Sequence, residues 1–461
     1  MSIFDQVADF YRDPDYFHEV RRIAVPIMIQ QLVFSSLNLL AVVFVGQKGE
    51  IAVAAVGLAG QIAFLLNLVH FGIISGAAMF TAQFWGRGDL PNLRRVLGLC
   101  LMLAMAASLI FFSIAQFLPT QILSVYSQDP NVIRLGASYL RTFSWTFLFF
   151  AITFSYSLVM RSTGNVKTPT TVSVIALLFN TFLSYSLIFG KFGLPEIGIP
   201  GAAIAAIIAR ALECVTLISI IYLQKSPVAA SLRELTDFDS AFVRKVIKPM
   251  LPVILNELFW SLGITTYNLL YGRMGTASFA AMNIVSTIEQ VGFVVFIGIS
   301  NATSVLVGNR IGAGKEHEAF LYAGRSLGLG ILGGLVIGVL LQFVKAPILS
   351  LYKVSPEVIT NAGFLINVIT FFLWVRVNNM TIVVGILRAG GDTRFSLFLD
   401  GIIIWLVGVP MAYIGAFVLH LPVYLVYLCA MSEEATKWML GVSRYRSRKW
   451  INNLAAQMEG I

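Results

Sequence analysis

Apolar residues run through this 461-residue chain in long blocks separated by short polar stretches. Runs long enough to cross a bilayer as helix, about 20 residues each, lie at 23–45, 52–82, 96–118, 137–160, 170–190, 200–223, 249–271, 277–307, 321–345, 360–385, 395–418 and 423–442. These twelve spans predict an all-α polytopic membrane protein, since backbone that meets lipid must satisfy its own hydrogen bonds. The polar residues inside several spans keep helical spacing. Gln31, Ser35 and Asn38 do so in span 1, and Glu257, Ser261, Thr265 and Asn268 in span 7. Span 8 carries Asn283, Ser286, Thr287, Glu289 and Gln290; span 10 carries Asn367, Thr370, Trp374, Asn378 and Thr381. Such stripes turn away from lipid. Three of them in the second half suggest one wet internal cavity, with plain helix-to-helix hydrogen bonding as the alternative.

The twelve spans are one six-span unit used twice. A shift of 226 carries Gly46, Gly49, Ala54, Ala55, Gly72, Ile73, Gly86 and Gly88 onto Gly272, Gly275, Ala280, Ala281, Gly298, Ile299, Gly312 and Gly314, and Pro26 onto Pro252. With one insertion, Arg388 and Gly391 answer Arg161 and Gly164. An offset held this far marks an internal repeat. Because six is even, both halves enter the membrane in the same sense, related by an axis along the membrane normal. The expected organisation is an N-terminal segment (1–22), a first six-helix lobe (23–223), a polar linker (224–248), a second lobe (249–442) and a basic tail (443–461). Phe4, Val7, Phe10, Tyr11 and Phe17, set among charges, read as a short helix on the membrane surface. The tail, with Arg444, Arg446, Arg448 and Lys449, reads as a contact for anionic headgroups.

Composition agrees: 57% of residues are hydrophobic and 12% charged, which excludes a soluble chain of this length. The net charge of +9 is scattered through short loops and forms no stripe, so nucleic acid is not expected. With both termini and the linker inside, 22 basic residues lie on the cytoplasmic side against six outside (Lys48, Arg134, Lys191, Arg273, Lys345, Lys353), which fixes the orientation. Cys100, Cys214 and Cys429 fall within spans and imply no disulfide framework. No metalloprotease helix, nucleophile elbow or metal-ligand spacing appears, so neither an enzyme nor a metal site is expected. The turns Gly86-Arg87-Gly88 and Gly312-Ala313-Gly314 read as tight helix connections, not phosphate cradles.

Ionisable groups inside the spans are the candidates for chemistry, because each is costly to insert. They are His70, Arg210 and Glu213 in the first half, and Glu257, Glu289, Arg376, Asp400, Glu433 and Glu434 in the second. Arg376 requires a carboxylate, with Glu257 and Glu289 as the choices. Arg210 and Glu213 are spaced for a local pair, as are Glu434 and Lys437. Arg161 and Arg388 read as cations complementing helix C-termini, and His70 as a packed histidine.

Leu387-Arg388-Ala389-Gly390-Gly391-Asp392-Thr393, Gly198-Ile199-Pro200-Gly201-Ala202-Ala203 and the paired glycine turns, on twelve spans in two parallel repeats, resemble the MATE (multidrug and toxic compound extrusion) family. The resemblance implies two pseudo-symmetric six-helix lobes around a central cavity. It also implies alternating-access export of organic cations, drugs or other amphipathic compounds in exchange for H⁺ or Na⁺, from a monomer in a prokaryotic inner or plasma membrane with no cofactor beyond the coupling ion. A lipid or lipid-linked precursor flippase of the same superfamily is the second reading. Against the family pattern, Asn38 is present but Ala41 occupies the acidic position of span 1, and span 5 reads Asn180 with Ser184 where relatives carry an aspartate. Glu257 matches the acidic position of span 7, while the span 10 neighbourhood reads Arg376-Val377-Asn378 and lacks its aspartate. The expected coupling residues are Glu257 and Glu289. The expected cavity residues are Gln31, Asn38, Asn180, Ser261, Thr265, Asn268, Asn283, Thr287, Gln290, Trp374, Arg376 and Asn378, in contact with a small-molecule substrate and membrane lipid.

Overall fold

A computed structural model describes residues 13–458, so Phe4, Val7, Phe10 and Tyr11 of the expected surface helix lie outside the described residues. Ten of the twelve apolar runs match single helical spans, to within a residue at their ends: Pro14–Gly46, Glu50–Arg87, Leu90–Phe117, Lys167–Phe189, Ile199–Leu223, Ser240–Arg273, Thr276–Gly312, Glu316–Ser350, Pro356–Arg388 and Thr393–Val418; the twelfth run is a pair interrupted at Met431, Val423–Ala430 and Ser432–Arg446. Span 4 is bent by 43° between Pro130–Phe143 and Trp145–Ser162. At that break Gln116 donates to the Arg141 carbonyl at 2.7 Å and to the Ser144 hydroxyl at 2.9 Å, the side-chain insertion that kinks a helix. By length and apolarity alone, nine of the described helices can cross a membrane, ten with the bent pair. The spans that miss this test, 7 and 12, carry several of the buried charges described below, and span 12 is broken at Met431 into two helices too short to cross alone.

The repeat is visible in the backbone. Asp129 caps the helix beginning at Pro130 and Ser355 the one beginning at Pro356, each accepting a backbone N–H with proline in the first turn. Gly88 (φ 80°) and Gly314 (φ 76°) close equivalent turns in the left-handed region, where a side chain would be strained. Spans 10 and 11 depart from regular α-helix: Thr381–Arg388, Leu397–Ile402 and Ile404–Gly408 are π-helical.

Two compact units emerge. The first comprises Pro26–Thr81 and Asp89–Val246; the second takes the chain up to Val25, Ala82–Gly88, and Ile247 onward. The first is built on a core including Leu66, Leu140, Phe147 and Ala203. It also absorbs most of the expected linker, which is not a free connector. Ser231 and Glu234 form a reciprocal capping box on the short helix Leu232–Thr236. Arg94 of span 3 reaches Glu234 at 2.5 Å and the Pro227 carbonyl at 3.1 Å, and Arg95 reaches Asp237 at 2.6 Å. Hydrogen bonds from the Ser231 backbone and hydroxyl, then from Arg94, hold the Glu234 carboxyl below the usual carboxylate range.

The second unit has a core around Tyr271, Leu365, Ile366 and Val426. The start of span 1 joins it because Tyr16 is fully buried, donating or accepting a 2.9 Å hydrogen bond with Ser326, while Asp13 pairs with Arg325. Residues 82–88 join it through an approach of two helix ends. A Cβ on Gly86 would collide with the Asn309 backbone, and one on Gly312 with the Gln83 backbone. Gly86 and Gly312, and likewise Gln83 and Asn309, are mates under the 226 shift, so the contact is isologous, like that across a two-fold axis. The C-terminal tail lies over it. Gln83 donates to the Ala389 carbonyl at 2.8 Å and accepts the Leu454 N–H at 2.6 Å, Asn452 N–H meets the Gly390 carbonyl at 2.9 Å, and Trp450 is fully buried over Gly390. The tail expected to rest on lipid headgroups is thus in part a docked strap.

A buried chain of charges in the second unit

Spans 7, 8, 10, 11 and 12 each contribute charge to one network in the second unit. At one end Arg388 donates to Glu257 at 2.6 Å, with Arg388 2% and Glu257 7% exposed. Next to Glu257, Asn256 donates to Asp400 at 3.0 Å. Lys437 then bridges Asp400 at 2.9 Å and Glu433 at 2.5 Å, and the Tyr267 hydroxyl donates to the other Glu433 oxygen at 2.5 Å. Gly408 makes room for that pair, since a Cβ there would collide with Tyr267 and Glu433. Beside Glu433, Glu434 accepts from Asn379 at 2.7 Å and lies 3.6 Å from Arg376. Arg376 also pairs with Glu289, donates to the Tyr427 hydroxyl at 3.1 Å and lies over the Phe293 ring.

Five carboxylates therefore face three cations. Arg388 pairs with Glu257, Lys437 is shared by Asp400 and Glu433, and Arg376 is shared by Glu289 and Glu434. Of the two partners open to Arg376, the structure selects Glu289, and Glu257 meets Arg388 instead. Arg388 is thus more than a helix-end cation, and the spacing that joined Glu434 to Lys437 is replaced by Glu433–Lys437. The second correction stays within one regular α-helix, where i,i+4 replaces i,i+3; the first has its cause in the backbone. Arg388 and Asp400 lie on π-helical stretches, whose extra residue per turn rotates side chains off the 3.6-residue register. Intramembrane charge marks Asp400, Glu433 and Glu434, and helical spacing marks Lys437 as a partner on the span of the two glutamates, but nothing in the spacing marks Tyr267, or Lys437 as the partner of Asp400.

The other expected site residues scatter. On span 7, Ser261 is half-buried, while Thr265 and Asn268 are exposed, as are Asn283, Thr287 and Gln290 on span 8. Exposed polar groups within a span belong against water or ligand rather than lipid. On span 10, Asn378 is buried and donates to the Trp374 carbonyl at 2.9 Å, and Trp374 packs on Trp438. Both stabilise helix packing.

In the first unit Gln31 is half-buried and Asn38 exposed, and the Asn180 side-chain oxygen is buried without a hydrogen-bond partner. Arg210 and Glu213 form their expected pair at 2.7 Å, with Ser173 donating to Glu213 at 2.6 Å. His70 is packed, its Nε2 3.1 Å from the Ala104 carbonyl and 2.9 Å from the Ser108 hydroxyl.

The MatE family model matches residues 26–186 and again 252–414, two segments whose starts differ by the repeat offset. The chain is 23% identical over 451 residues to the probable multidrug resistance protein NorM of Thermotoga maritima, covering 97% of this chain and 96% of that protein. It is 29% identical over 412 residues to the NorM of Bradyrhizobium diazoefficiens, covering 87% of each. Its fold is similar to a mutant form of the Vibrio cholerae MATE transporter VcmN, with a TM-score of 0.87 at 18% identity, covering 96% of this chain and 99% of that one.

Proposed function

Because the chain belongs to the MatE family, we propose that it is a proton-coupled antiporter that exports amphipathic small molecules, organic cations and drugs among them, by alternating access. The substrate class follows from the relatives named as probable multidrug resistance proteins. The coupling rests on one observation: five buried or half-buried carboxylates share three cations. With every group ionised the network would hold an excess of negative charge away from bulk water, which is costly unless a cation neutralises it. A proton needs no ligand shell, whereas Na⁺ would need several oxygen ligands, and these carboxylates already accept N–H and O–H donors. A bound cationic substrate can supply the same neutralisation, so proton and substrate compete.

The two shared sets carry the excess. Glu289 and Glu434 share Arg376, and Asp400 and Glu433 share Lys437, so these two sets are where a proton or a cationic substrate supplies the missing positive charge. Glu257 contributes to coupling through its pair with Arg388. The exposed polar face of spans 7 and 8, including Asn268, Asn283 and Thr287, receives the substrate. Both termini face the cytoplasm, as the excess of basic residues on that side requires. Dye efflux from proteoliposomes under separately imposed H⁺ and Na⁺ gradients tests the reading. Export driven by H⁺ alone supports it, whereas scrambling of labelled lipid without dye export would replace it by a flippase.

A further inference from the structure

The repeat leaves one arginine without its acid. Arg161 ends span 4 as Arg388 ends span 10, and Arg388 meets Glu257. Under the 226 shift the counterparts of Asn256 and Glu257 are Gln30 and Gln31, both neutral. Arg161 donates Nη2 to the Gln30 amide oxygen at 2.7 Å, and the Thr170 hydroxyl shares that oxygen at 3.4 Å. No carboxylate among the described residues pairs with Arg161, and its Nε is buried without a hydrogen-bond partner. An amide oxygen orients the guanidinium without neutralising it, and arginine does not lose its proton in proteins. Arg210, deeper in span 6, is matched by Glu213. The first unit thus carries unmatched positive charge in its spans where the second carries excess negative charge. Placement at a helix C-terminus accounts for a cation at this position, but not for the loss of the acid that its mate retains.

We propose that Arg161, with Gln30 and Thr170, is an anion subsite that takes the carboxylate or phosphate of an amphipathic ligand. The planar guanidinium fork suits either group, and Arg161 is only half-buried, so a ligand can reach it. The subsite deepens the transport reading by giving the substrate or a bound lipid an acidic group. It is measured as binding without a gradient, so it stands or falls independently of coupling.

The test uses the purified full chain in nanodiscs, with a dansyl-labelled fatty acid as anionic probe and a cationic dye as control. Gln30→Glu places a carboxylate against Arg161, as Glu257 stands against Arg388, and is expected to preserve the fold. It should weaken the anionic probe about tenfold or more, the loss of a charge-assisted hydrogen bond, with the cationic dye unaffected. Arg161→Gln should do the same and Arg161→Lys should retain part of the affinity. Nanodiscs of phosphatidylglycerol in place of phosphatidylcholine separate the sources. Competition with the probe in the parent protein but not in Gln30→Glu identifies a lipid headgroup, and equal affinity in both lipids identifies a free carboxylate. Equal anionic-probe affinity in the parent, Gln30→Glu and Arg161→Gln would overturn the proposal.

Discussion

Arg388 holds Glu257 at 2.6 Å in a buried pair, while Arg376, two helical turns and more away on the same span, is divided between Glu289 and Glu434. One acid faces a fully buried cation, and two acids share another. Charge removal should therefore have different consequences at the two places.

Glu257→Gln removes the carboxylate opposite a buried guanidinium and is expected to cost about 3–5 kcal/mol of stability. Changing Arg388→Met in the same chain should recover much of that loss, because the pair leaves together. Thermal melting of the single and double variants in detergent checks this; strict additivity would show that the two groups do not act as a pair.

Glu289→Gln and Glu434→Gln should each fold, since Arg376 keeps the other acid. Each should bind substrate yet lose efflux driven by a pH gradient. Glu289→Gln/Glu434→Gln together leave Arg376 with the Tyr427 hydroxyl alone and should be markedly less stable than either single variant. Transport in matched proteoliposomes and melting curves separate the two effects.

The parts of this site visible in the sequence are those that follow helical periodicity and the repeat offset. Glu257 stands out as the acid of a polar stripe, and Arg376 as a membrane cation in need of an acid. The pairing was hidden because Arg388 and Asp400 sit on π-helical stretches, where a 3.6-residue count assigns the wrong face. The docking of Trp450 over Gly390 was equally hidden, because burial of a tail among helix ends depends on long-range packing and a local basic run points to lipid instead.

Gly86→Ala and Gly312→Ala should destabilise the second unit to similar degrees, by about 1–3 kcal/mol each or more, because each new Cβ meets the backbone of the other's neighbour. Melting of the two variants beside a Gly46→Ala control, where the space is open, tests the isologous contact. Unequal losses would argue against it.

Trp450→Ala empties a fully buried indole site and is expected to cost about 3–5 kcal/mol. Limited proteolysis should then cut within 447–458 faster than in the parent protein, and an unchanged cutting rate would count against the strap.

Because Glu234 is held below the usual carboxylate range when docked, its contribution is present above the unfolded value and is lost as pH falls through the docked one. Hydrogen-exchange protection in 228–237, measured against the intrinsic rate at each pH, should therefore hold through neutral pH and fall only in acid. Glu234→Gln should abolish that acid dependence.

The central claim is that excess carboxylate charge in the second unit carries protons that substrate displaces. Its most direct test is the net proton release when a cationic substrate binds the purified protein, read by calorimetry in buffers of different ionisation enthalpy. The account predicts release by the parent protein and a smaller release by Glu289→Gln. Binding with no proton release, or with a release that Glu289→Gln and Glu434→Gln leave unchanged, would contradict it.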